Sequence, residues 1–122
     1  MVVAVCRLSL HFPQSRSLKS KRQGLRRILD RARAKFNVAI AEVGEQDTWQ
    51  RARVGFAVVS SSGDHAQSMV DTICNFVAEL YVAQVLDREV DILQYGDERI
   101  DDQGVWTDED EARFGGDGGG AA

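Results

Sequence analysis

The N-terminal segment of the chain alternates between apolar and polar positions. The apolar positions are Ala4, Cys6, Leu8, Leu10 and Phe12. Arg7 and His11 lie between them, and Pro13 ends the pattern because proline has no N–H for a sheet. A period of two is typical of a strand with one buried and one exposed face, so a half-buried first strand is predicted.

After this strand the spacing of apolar residues changes to three and four, which indicates an amphipathic helix. Ser17 is predicted to be the N-cap of a helix that begins at Leu18. The apolar stripe comprises Leu18, Leu25, Ile28, Leu29, Ala32 and Phe36. One side of this helix is therefore expected to face a core.

Further along, residues 36–43 and 53–60 are apolar runs that predict two strands joined by a polar connection. Residues 89–95 alternate again and predict a last strand. A second helix is expected between residues 60 and 89.

The second helix is predicted to begin at Asp64, which forms a capping-box-like pair with Gln67. Its apolar stripe extends through Tyr81, and the helix is predicted to end at Val85 or Leu86.

The resulting order is β-α-β-β-α-β. It predicts an α+β, ferredoxin-like domain over residues 1–95, with a four-stranded antiparallel sheet and two helices on one face. Residues 96–122 are acidic and glycine-rich, and we expect a disordered tail. Such a tail either keeps the protein in solution or competes with RNA for a basic surface.

Charge is distributed very unevenly along the chain. Residues 1–60 carry 12 Lys/Arg against 4 Asp/Glu, whereas residues 61–122 carry 3 against 15. Residues 17–36 alone hold eight cations and one acid, Asp30. An ordinary solvated helix face mixes charges of both signs, so this imbalance favours a surface that binds a polyanion.

Projected at 100° per residue, Lys19, Arg22, Arg26 and Arg33 form a row along one flank of the first helix, whereas Arg27 and Arg31 lie on its back. The row stands beside N–H groups of the first turn that favour anions. RNA is the expected partner, with Arg7 and His11 contacting bases from the open face of the sheet. An acidic protein surface and a merely solvated face are the alternatives. The residues predicted to contact nucleic acid are Arg16, Ser17, Lys19, Arg22, Arg26, Arg33, Arg7 and His11.

The sequence nominates no catalytic residues, metal site or cofactor. A phosphate-binding GxxxxGK[ST] loop is absent, and two cysteines with two histidines do not give a zinc spacing. Cys6 and Cys74 occupy apolar positions and are expected to be reduced, buried thiols. The sequence shows no membrane span or secretory leader, so we expect a cytoplasmic protein. Because it nominates no catalytic residues, we also expect a non-enzymatic one.

Three segments carry a family resemblance. They are Ser17-Leu18-Lys19-x-Lys21-Arg22, Phe36-Asn37-Val38-Ala39-x-Ala41-Glu42 and Gln46-Asp47-x-Trp49-Gln50-Arg51-Ala52. In this order and spacing the chain resembles the YlxP-like family of small bacterial proteins over residues 1–95. The resemblance implies a ferredoxin-like fold and no established activity. Members are often encoded beside translation-initiation and ribosome-maturation factors, which suggests a role near the ribosome.

We therefore expect a non-enzymatic RNA- or ribosome-binding accessory protein. The alternative is a structural or regulatory module that self-associates through its open sheet face, with a small-molecule or protein ligand.

Overall fold

The computed structural model describes residues 1–96, so the predicted tail lies outside the described residues. Two compact units are present: residues 2–93, and a second unit that includes Met1 and residues 94–96. The first unit contains both helices and nearly all of the sheet. The elements are β1 (Val2–His11), α1 (Leu18–Lys35), β2 (Ala39–Gly44), β3 (Arg51–Ser60), α2 (Gly63–Glu79) and β4 (Gln84–Gln94).

The four strands form one antiparallel sheet in the order β2-β3-β1-β4, with two helices on one face, as predicted for a ferredoxin-like α+β fold. β1 and β3 pair along their whole length, from Val2 opposite Ser60 to His11 opposite Arg51. The even-numbered residues from Val2 to Leu10 of β1 and from Ala52 to Val58 of β3 are buried against the helices. The predicted apolar face of the first strand is therefore confirmed.

The second helix differs from the prediction at both ends. Ser62, not Asp64, is the N-cap, because its hydroxyl accepts the N–H of His65 at 3.3 Å. The helix ends at Glu79, and Tyr81 adopts a left-handed conformation with φ of 56°. Tyr81, predicted to lie in the core, is 86% exposed. After this turn β4 begins at Gln84, five residues earlier than predicted.

The sheet face opposite the helices carries an apolar patch. Registers place Val5 opposite Ala57 and Ala41 opposite Gly55, so these residues share that face. Val5, Val43 and Val59 are all exposed, which is unusual for valine. We define the apolar sheet patch as Val3, Val5, Ala39, Ala41, Val43, Gly55, Ala57 and Val59. Within residues 1–96, no helix is long and apolar enough to cross a membrane.

Candidate nucleic-acid interface

The start of α1 is fixed by local hydrogen bonds. The Ser17 hydroxyl accepts the N–H of Ser20 at 3.1 Å, which confirms the predicted N-cap. The hydroxyl of Ser15 is buried and donates to the carbonyl of Ser17 at 3.1 Å. Arg16, between the two serines, is exposed. The helix therefore begins at a rigid turn that presents Arg16 and first-turn N–H groups to solvent.

Lys19, Arg22 and Arg26 form an exposed row on α1, as the helical projection predicted. None of the three takes part in an ion pair within residues 1–96. At 1.5 Å rise per residue the row extends over roughly 10 Å of helix. We call these three residues the basic row.

Arg33 continues the row but is partly committed to the domain itself. Its Nη2 donates to the carbonyl of Ile40 on β2 at 2.7 Å, and its Nη1 lies 3.9 Å from Asp30. The contact shows that the row lies on the side of α1 that faces β2. About half of the Arg33 side chain remains exposed, at 49%.

Within residues 1–96, Lys21 is the largest fully buried side chain, with 1% of its surface exposed. Its ammonium group donates to the carbonyls of Glu45, Arg51 and Gln46 at 2.9, 3.1 and 3.3 Å. One of the eight cations of residues 17–36 is therefore an internal group that holds the connection between β2 and β3. It is unavailable to any ligand, whereas its neighbour Arg22 is exposed.

The acidic side chains near the end of β2 also serve the fold. A carboxylate oxygen of Glu42 is buried without a hydrogen-bond partner and lies 3.6 Å from the Lys21 ammonium. Glu45, at the turn that follows, pairs with Arg53 at 3.6 Å. The Lys21 charge compensates the buried oxygen, so this cluster is explained as a structural ion pair.

Trp49 lies in the same connection and is 47% exposed, which is unusual for so large an aromatic side chain. The next residue, Gln50, accepts the N–H of Phe12 at 2.8 Å and donates through its side chain to the carbonyl of Ser15 at 3.2 Å. These bonds, with those of Lys21, fix the connection beside the start of α1. The backbone around Trp49 is thus held beside the start of α1, where the basic row begins.

Arg7 and His11 lie on a different surface. Both occupy the open sheet face, across the sheet from α1, where Arg7 pairs with Glu89 of β4. His11 Nδ1 lies 3.3 Å from the side-chain oxygen of Gln84. The eight predicted residues therefore divide into one group on α1 and another on the sheet, and a single flat ligand does not contact both.

Known proteins show similarity to this chain. A solved structure, the de novo designed protein Foldit4, is 15% identical, with a TM-score of 0.43, and the match covers 78% of this chain and 98% of that protein. The "Uncharacterized protein YlxP" of Bacillus subtilis (strain 168) is 49% identical over 61 residues. That match spans 50% of this chain and 66% of the relative, just under two thirds of its length.

A family model described as "Protein of unknown function (DUF503)" matches residues 3–90, which include the basic row, Lys21 and at least part of each of the four strands. The chain therefore belongs to the DUF503, YlxP-like family.

Proposed function

We propose that this protein is a non-enzymatic, cytoplasmic RNA-binding accessory protein that acts on ribosomal particles through the basic row. The observation that carries the proposal is that Lys19, Arg22 and Arg26 are exposed and make no ion pair within residues 1–96. Unpaired cations beside a helix N-terminus favour phosphate groups, and arginine binds phosphate through two parallel hydrogen bonds.

The helix offers a matched pair of variants for the test. Arg22 and Arg26 belong to the basic row, whereas Arg27 and Arg31 are equally charged and exposed on the back of the same helix. We expect R22A/R26A to weaken binding to ribosomal RNA and to lower the slope of log K against log salt by about 0.7 to 0.9 per residue. R27A/R31A is expected to leave the slope nearly unchanged.

Co-sedimentation of the full chain with ribosomal particles, at low and raised salt, tests the biological target. Loss of co-migration in R22A/R26A but not in R27A/R31A supports the proposal. Equal behaviour of the two variants contradicts it.

A second candidate function, self-association, is favoured by the apolar sheet patch. Its exposed valines stand beside a shallow surface formed by Ala41, Gly55 and Ala57. A two-fold contact through this face would bring the exposed valines of one copy against the apolar sheet patch of the other. Arg7 and Glu89 supply both signs of charge beside the patch, which suits a self-complementary contact.

A further inference from the structure

The core contains two thiols that the proposed function does not use. Cys6 lies on the inner face of β1 and Cys74 on α2, and their Sγ atoms are 3.8 Å apart. Both residues are buried, with 3% and 6% of their surface exposed, and both are free. The two thiols are 68 residues apart in sequence, so a bond between them would join the second helix to the central strand.

A cation stands beside one of the two sulfurs. Arg88 of β4 donates to Asp71 of α2 at 2.8 Å, and its guanidinium also lies next to Cys74. Hydrogen bonds from the Cys6 thiol and from Arg88 lower the pKa of Cys74 to about 6, although burial acts in the opposite direction. The pKa of Cys6 is raised, because its proton is held in the hydrogen bond to Cys74 and because the thiol is buried.

We propose that Cys74 and Cys6 form an oxidation site for small hydroperoxides, in which Cys74 is the attacking sulfur and Cys6 the resolving one. The inference is independent of RNA binding. It rests on the 3.8 Å distance between the two buried sulfurs and on Arg88, which hydrogen-bonds Cys74 and reaches Cys6 only through its charge.

The reaction balances in two steps. The Cys74 thiolate attacks one oxygen of hydrogen peroxide, the O–O bond breaks, and the departing hydroxide takes up a proton to leave as water. The Cys6 thiol then attacks the sulfur of the Cys74 sulfenic acid, and a second water leaves as the disulfide forms. The two sulfurs together lose two electrons to the peroxide, and a dithiol reductant reverses the change.

The surroundings favour an oxidant over a metal ion. A guanidinium beside Cys74 repels a metal cation, whereas it stabilises a thiolate and the developing charge on a departing oxygen. Arg88 also pairs with Asp71, and their side chains are 40% and 47% exposed. Exposed pairs of this kind contribute little to stability, so breaking this pair to let Arg88 move costs little.

The first experiment treats the reduced full chain with hydrogen peroxide under native conditions. Peptide mapping without reductant is expected to find the Cys6–Cys74 disulfide, and intact mass is expected to show the loss of two hydrogen atoms. Cys6→Ser is expected to stop at a sulfenic acid on Cys74 that a dimedone probe traps. If both thiols stay reduced in the folded protein and react only in denaturant, the proposal is wrong.

The second experiment tests whether Arg88 activates the Cys74 thiol or only contributes to the fold. It does not depend on a cysteine variant. Without the cation the Cys74 thiolate is scarcer at low pH but more nucleophilic. Arg88→Ala is therefore expected to react several-fold more slowly than wild type at pH 6, and this deficit is expected to shrink as the pH rises and the thiolate of the variant forms. Arg31→Ala, an exposed arginine of α1, is the control. Identical pH profiles for the two variants would overturn the assignment.

Discussion

The ammonium group of Lys21 lies 3.6 Å from a buried carboxylate oxygen of Glu42 and donates to three backbone carbonyls of the connection between β2 and β3. Of the many cations of α1, one is therefore buried and the others are exposed. The buried cation, Lys21, holds the loop that carries Trp49. The exposed cations form the surface that we propose binds RNA. The two roles predict different responses to substitution.

Lys21→Met is expected to destabilise the protein by about 3 kcal/mol, because it leaves a buried carboxylate uncompensated and three carbonyls without their donor. Lys19→Met, two residues away on the exposed side of the helix, is expected to change stability by less than about 0.5 kcal/mol. Urea denaturation of both variants measures the difference. Equal midpoints would contradict the structural role of Lys21.

Ser17 is expected to contribute to stability through its hydroxyl and to RNA binding through its position. Ser17→Ala removes the cap and is expected to cost about 1 kcal/mol in the free energy of unfolding. Ser17→Asp retains a capping oxygen but adds a negative charge where a phosphate is expected, so it should fold normally and bind RNA more weakly. Thermal unfolding and RNA titration together check both statements, and unchanged affinity of Ser17→Asp would argue against phosphate at this end of the helix.

Trp49 is expected to stack on an unpaired base, since the indole is exposed and its loop is fixed beside the basic row. Trp49→Ala should weaken binding to a single-stranded ribosomal RNA segment by about 1 to 3 kcal/mol, while Trp49→Phe retains much of the affinity. Tyr81→Ala is a matched control, because Tyr81 is an exposed aromatic residue at the far end of α2. Equal losses for Trp49→Ala and Tyr81→Ala would contradict the stacking role.

Self-association through the apolar sheet patch predicts a concentration-dependent dimer. Val59→Lys places a charge in the patch at a side chain that is already 60% exposed, so the variant is expected to fold and to remain monomeric. Light scattering across the micromolar range checks both proteins. A wild-type chain that remains monomeric throughout this range would contradict the second candidate function.

The sequence predicted the element order and the start of α1 because those features depend on local patterns. Alternation in β1 and the Ser17 cap are visible in a few neighbouring residues. Lys21 was missed because its charge suggested the surface, although its spacing from Leu25, Ile28 and Ala32 places it within the apolar stripe. In this case burial was decided by distant carbonyls that no local pattern reveals.

The end of α2 and the partners of the sheet residues required the tertiary structure. Apolar residues after Glu79 continue a helical spacing, and the amino-acid sequence does not indicate the left-handed turn at Tyr81. Since β4 was predicted to begin too late, Gln84 was not available as a neighbour for His11. The position of Arg7 and His11 on the open sheet face was predicted, but their partners Glu89 and Gln84 on β4 were not.

The hydrogen bond from Arg33 to the carbonyl of Ile40 has a consequence for aggregation. β2 is an outermost strand, and such strands offer their backbone groups to extended segments of other chains. An incoming strand would have to displace the guanidinium from this carbonyl and bring its own backbone against a retained positive charge. Arg33 thus acts as a gatekeeper that opposes growth of the sheet by strand addition at its β2 edge.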